Sequence, residues 1–95
     1  MRLPQSQASF LKQGLLQLEP TSEVYLFGSR ALARGRGGDI DILWLNPIKV
    51  PQRRLSALRV AFFKEFDWQK LDIVNFCFSE EAPFKQITLQ QAVRL

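Results

Sequence analysis

The residues best equipped for chemistry in this chain are acids. Asp39 and Asp41 form an Asp-x-Asp pair within the run Asp39-Ile40-Asp41-Ile42-Leu43. Side chains alternate along a strand, so both carboxylates turn to one face while Ile40 and Ile42 point to the core. Their Cα atoms then lie roughly 6.6 Å apart, at about 3.3 Å per residue. From that spacing two carboxylates converge on one hard cation or bracket two ions about 3.5–4 Å apart. Like charges this close repel each other, and a divalent ion relieves the repulsion. The pair also suits two solvated acids on the open face of a half-exposed strand. Asp72 is a third acid, one residue into the otherwise apolar run Leu71-Asp72-Ile73-Val74-Asn75-Phe76. An acid there must face water or a cation. It joins Asp39 and Asp41 if the two strands are neighbours, and is a strand-edge surface acid if they are not.

A second local pattern lies upstream. Val24-Tyr25-Leu26-Phe27 is a short apolar run that ends in Gly28-Ser29. A glycine at the end of a strand lets backbone approach a ligand closely. Ser29 follows where a helix would begin, so its hydroxyl and nearby backbone N–H groups can receive a phosphate. The plainer alternative is a strand-to-helix turn with a serine cap. Arg30 and Arg34 either add positive charge to a polyphosphate site or belong to the general surface. Gly35, Gly37 and Gly38 do not form a Gly-x-Gly-x-x-Gly spacing after a strand, which argues against a Rossmann dinucleotide site.

Composition narrows the chemistry further. The 95 residues include no histidine and one cysteine, Cys77. A zinc site, the usual general base, a serine triad and a disulfide within the chain are all disfavoured. Carboxylates, cations, hydroxyls and backbone must carry any reaction. The formal net charge of +4 favours anionic partners such as nucleotides, nucleic acid or an acidic protein. A nucleic-acid role would show as steep salt dependence with exposed aromatics. The candidates are Trp44 and Trp68, and their apolar settings predict core positions instead. The length suits a single domain over residues 1–95. Apolar runs are far shorter than the ~20 residues of a membrane span, and no apolar signal core follows Met1, so a cytoplasmic location is expected.

These residues need a scaffold, and hydrophobic periodicity supplies one. Ser6 to Leu18 reads as a helix capped at Ser6, with Phe10, Leu11, Leu15 and Leu18 on one face. A strand at 24–27 precedes a short helical stretch at 30–33, and residues 34–38 form a loop. Asp39 to Leu45 is the second strand, ended by Asn46-Pro47. A helix follows from Pro51 to about Phe66, burying Leu55, Leu58, Phe62 and Phe66 and leaving Arg53, Arg54, Arg59 and Lys64 for solvent. Leu71 to Phe78 is a third strand, and Pro83 to about Val93 a final helix. The order α-β-α-β-α-β-α implies an α+β or α/β layer architecture, a mixed sheet covered by helices.

Taken jointly, Gly28-Ser29, nine intervening residues, Asp39-x-Asp41 and a later strand aspartate at Asp72 resemble the DNA polymerase β-like nucleotidyltransferase superfamily. The short chain and the run Leu26-Phe27-Gly28-Ser29-Arg30-Ala31 look most like its minimal nucleotidyltransferase (MNT) branch. The resemblance implies a palm-like core in which Asp39, Asp41 and Asp72 hold two Mg²⁺ ions. It implies that these bind the triphosphate of ATP or another nucleotide, with Gly28, Ser29, Arg30 and Arg34 beside it. A nucleoside monophosphate then passes to a hydroxyl, and pyrophosphate is released. Many superfamily members carry serine just before the first aspartate, where this chain has Gly38.

The resemblance also implies a partner. Minimal members pair with all-helical HEPN-type proteins, in some cases as antitoxins that attach AMP to a toxin tyrosine. An oligomer or hetero-complex is therefore expected. The rival expectation is a catalytically inactive module of the same fold that neutralises or senses a partner.

Overall fold

The structure, a computed structural model, describes residues 3–31 and 38–95, apart from the side chain of Ser29. Helix α1 (Gln5–Leu18) buries Ala8, Leu11 and Leu15, with Phe10 and Leu18 packed at the margin. The expected serine cap is not used. Extended Pro4 precedes the helix, and its carbonyl accepts from the Ala8 N–H at 3.0 Å, so the helix starts at Gln5 without a side-chain cap.

Strands β1 (Glu23–Phe27), β2 (Ile40–Asn46), β3 (Leu71–Cys77) and β4 (Val93–Arg94) form one sheet in the order β3-β2-β1-β4. β1 runs antiparallel to β2 and β4, while β2 and β3 are parallel. A parallel pair needs a long crossover, and helix α2 (Ser56–Phe66) lies within that connection. Helix α3 (Pro83–Gln91) follows β3.

The two faces of the sheet differ. Val24, Leu26, Ile40, Ile42, Trp44, Leu71 and Ile73 share a buried cluster with Leu11 and Leu15 of α1 and Phe62 of α2. The opposite face carries Phe27, Asp41 and Asp72, and its aromatic end is met by Phe84 of α3. Alternation along β2 therefore does as its sequence predicts: Ile40 and Ile42 are fully buried, and Asp41 faces the other way.

Several boundaries differ from the sequence expectation. Asp39 stands just before β2, and Asn46 belongs to the strand because β3 pairs with it as far as Cys77 and the Phe78 N–H donates to its carbonyl at 2.9 Å. The helix expected from Pro51 begins as a 3₁₀ turn at Gln52–Leu55, and the stretch after Phe27 is a 3₁₀ turn at Gly28–Ala31. The final helix stops at Gln91, because Val93 and Arg94 pair with Leu26 and Tyr25 to make β4.

Side-chain expectations also divide. Trp44 is buried as expected, its indole N–H donating to Ser22 Oγ at 2.8 Å. Trp68 is 74% exposed and not core. α2 ends at Phe66, and Asp67, at φ 65°, redirects the chain before β3, leaving the indole outside against Phe63. Arg59 does not simply face solvent. It donates to the Leu71 carbonyl while Gln52 donates to that of Ile73 at 2.8 Å, which satisfies the outer edge of β3 and discourages pairing there. No helix among the described residues is long and apolar enough to cross a membrane.

Candidate active site

The parallel register of β2 and β3 sets Asp41 directly beside Asp72. Paired residues in adjacent strands share a face, about 4.8 Å apart, so two carboxylates that are 31 positions apart in sequence become neighbours. Asp39, two residues before Asp41, adds a third negative charge to the same field. Asp41 registers the result, since its carboxyl is pushed above its ordinary range. Loss of hydration is the main cause, followed by repulsion from Asp72 and then from Asp39, with Lys70 opposing them.

Gly28 forms the wall behind Asp41. It adopts φ +75°, which residues with a Cβ seldom tolerate. A Cβ at this position would overlap Asp41 Oδ2 and lie 3.2 Å from its Cγ. Phe27 is the register partner of Asp41, so the strand-to-turn junction and the carboxylate are fitted to each other. The missing side chain thus serves an intramolecular contact as well as any approach of a ligand.

Arg30 is tied into the frame of the site. Its Nε donates to the Asp39 carbonyl at 3.2 Å and its Nη2 to Gln69 Oε1 at 3.2 Å. Gln69 Nε2 in turn donates to Gln7 Oε1 at 3.4 Å. The guanidinium thereby links the turn after β1, the entry to β2 and the entry to β3. The Ile40 N–H donates to the Lys70 carbonyl at 2.9 Å, closing the same corner.

Lys70 and Gln69 escaped the sequence reading. Lys70 Nζ lies 3.7 Å from Asp39 Oδ2, with both side chains at least half exposed. Its position two residues before Asp72 was the available signal, because strand alternation gives it the same facing as that acid. Of the other expected phosphate contacts, Ser29 contributes backbone to the 3₁₀ turn while its side chain lies outside the described residues, as does Arg34 altogether.

Among the described residues no three acid, histidine or cysteine side chains already stand in metal-ligand geometry. The donor set nevertheless fits a hard divalent ion: oxygen ligands only, on one sheet end, with Asp41 crowded by the charges of Asp72 and Asp39.

Comparison with known proteins agrees with this geometry. The model of the nucleotidyltransferase domain family matches residues 9–95. No curated protein gives a significant sequence match. Among solved structures, the toxin–antitoxin complex MntA–HepT contains a chain 22% identical, with a TM-score of 0.64, over 96% of this chain and 70% of that one. A complex of tri-AMPylated Shewanella oneidensis HEPN toxin with MNT antitoxin gives 23% identity and a TM-score of 0.59, over 93% of this chain and 70% of that one. At such identities the likeness is one of fold. The mixed four-stranded sheet with three helices is that of the MNT structures, as the sequence resemblance implied.

Proposed function

The chain belongs to the nucleotidyltransferase domain family, and from that premise we propose that it moves AMP from ATP onto a hydroxyl of a protein partner. The partner is a HEPN-type helical protein, the acceptor one of its tyrosines, and the chain's role that of an antitoxin, acting as a single domain in the cytoplasm. The observation that carries the reading is the register of Asp41 with Asp72, beside a turn whose glycine is shaped around the first of them. The fold shared with an MNT antitoxin in complex with a tri-AMPylated HEPN toxin supports the choice of nucleotide and partner.

In this mechanism Asp39, Asp41 and Asp72 would hold Mg²⁺, which when bound neutralises charge on the triphosphate and on the departing pyrophosphate. Backbone N–H groups of the Gly28–Ala31 turn receive the polyphosphate, with Ser29, Arg30 and Arg34 beside it. Asp72, on the exposed edge strand, orients the acceptor hydroxyl and accepts its proton. The hydroxyl oxygen forms a bond to the α-phosphorus as the bond from that phosphorus to the bridging oxygen breaks. Pyrophosphate leaves with the electron pair. Displacement in line requires the nucleophile to enter opposite the leaving group. Pyrophosphate departs toward the turn after β1, so the acceptor enters from the β3 side.

The test is transfer of label from α-labelled ATP, in the presence of Mg²⁺, to the protein encoded beside this chain's gene. Label on that protein, abolished by Asp41→Asn, supports the reading. Absence of transfer with all four nucleotides contradicts it. The second reading is a binding module of the same fold without catalysis. It predicts that Asp41→Asn neutralises the partner as well as the unaltered chain does.

A further inference from the structure

Aromatic rings line the open face of the sheet next to the acids. Phe27 pairs in register with Asp41. Phe84, in the first turn of α3, meets the Phe27 ring edge-on at 5.8 Å and the Phe76 ring at 6.2 Å. Despite both contacts Phe84 remains 49% exposed, and Ile87, one turn along, 64%. A ring supported from below and open above is placed to receive another flat group.

The support is rigid. Lys85, next to Phe84, is buried, and its ammonium donates to the carbonyls of Cys77, Phe78 and Glu80 at 3.0, 2.6 and 2.9 Å. The start of α3 is thereby fixed to the end of β3. Two cavities of the described residues lie elsewhere, about 560 Å³ between α1 and α2 and about 420 Å³ between α1 and the β4 end of the chain. Phe27 and Phe84 form an apolar surface on the sheet face that carries Asp41 and Asp72.

We infer that Phe84, seated on Phe27, is the shelf on which the base of the donor nucleotide stacks. This rests on the reading of the chain as a nucleotidyltransferase. In-line displacement decides between the nucleotide base and the acceptor side chain as the shelf's occupant. The acceptor enters from the β3 side, opposite the leaving pyrophosphate. Phe27 lies on β1, immediately before the turn assigned to the polyphosphate, so its surroundings belong to the nucleotide. The sugar and base leave the α-phosphorus equatorially and descend onto the open face of the sheet, where Phe84 presents its ring. Every base has a π-face, so such a shelf ranks purines above pyrimidines without reading base edges.

Calorimetric titration of the intact protein with Mg²⁺-ATP and with Mg²⁺-tripolyphosphate tests this. Phe84→Leu keeps an apolar side chain on Phe27, and Phe84→Tyr keeps the ring. Phe84→Leu is expected to weaken ATP binding about tenfold and leave tripolyphosphate binding unchanged, while Phe84→Tyr binds both like the unaltered chain. ATP and GTP should bind more tightly than CTP and UTP, and that difference should shrink in Phe84→Leu. Unchanged ATP affinity in Phe84→Leu overturns the shelf, and so does an equal loss for ATP and tripolyphosphate. If the unaltered protein binds neither ligand, the nucleotidyltransferase reading falls and the shelf with it. The two failures are thus distinct.

Discussion

The carboxylate of Asp41 occupies the space into which Gly28 would project a side chain. The two residues belong to different strands' ends, and each restricts what the other can be. Gly28 is held at φ +75°, and the contact reaches past the carboxylate oxygen to Cγ at 3.2 Å, so rotation of the acid alone does not make room. Gly28→Ala should cost about 1–2 kcal/mol of stability and displace Asp41. Urea denaturation measures the first effect. The second should appear as loss of nucleotidyl transfer at temperatures where the variant is fully folded.

Asp41→Asn should make the metal-free protein more stable at neutral pH. Its raised pKa means that the folded state binds the proton more tightly than the unfolded state does. The stability this brings is present below the unfolded pKa and is lost as pH rises through the folded value. At neutral pH the charged carboxylate therefore opposes folding, owing to lost hydration and to Asp72 and Asp39. Melting curves in chelator should show the variant melting higher at pH 7 and the gap closing as pH falls toward about 4.

Asp67 occupies a conformation suited to glycine, with φ 65° and ψ 168°. Asp67→Gly should stabilise the chain by about 1 kcal/mol. Chemical denaturation would register a higher midpoint at unchanged slope. An unaltered or lower midpoint would mean that the aspartate side chain makes up for its backbone strain.

Lys85 joins three carbonyls while being 7% exposed. Lys85→Met keeps most of the stem and removes the donors, at an expected cost of about 2–3 kcal/mol. By contrast Lys70→Met removes only an exposed ion pair with Asp39 and should change stability by less than about 1 kcal/mol. Thermal melts of the two variants side by side would separate them.

What could be read from the sequence was what depends on near neighbours. Asp39 and Asp41 are two residues apart, so the charge of one acts on the other even though Asp39 stands just before β2. The burial of Ile40 and Ile42 follows from strand alternation. The position of Asp72 depended on β2 and β3 lying side by side and on their register, neither of which any local pattern encodes. Only the family resemblance anticipated that meeting. β4 went unseen because two residues paired with Tyr25 and Leu26 leave no periodicity to detect. Trp68 was misread because its apolar neighbours describe composition, whereas its exposure comes from the backbone turn at Asp67. The Arg30–Gln69 bond spans 39 positions and is a product of tertiary packing alone.

In the proposed function the side chains at positions 39, 41 and 72 act together as ligands for divalent ions carrying a nucleotide triphosphate. Mn²⁺ binding followed by electron paramagnetic resonance, with a non-hydrolysable ATP analogue present, addresses it most directly. About two ions should bind per chain, with loss of binding in Asp39→Asn, Asp41→Asn and Asp72→Asn while each variant remains folded. Undiminished Mn²⁺ binding in all three variants, or none in the unaltered protein, would contradict it.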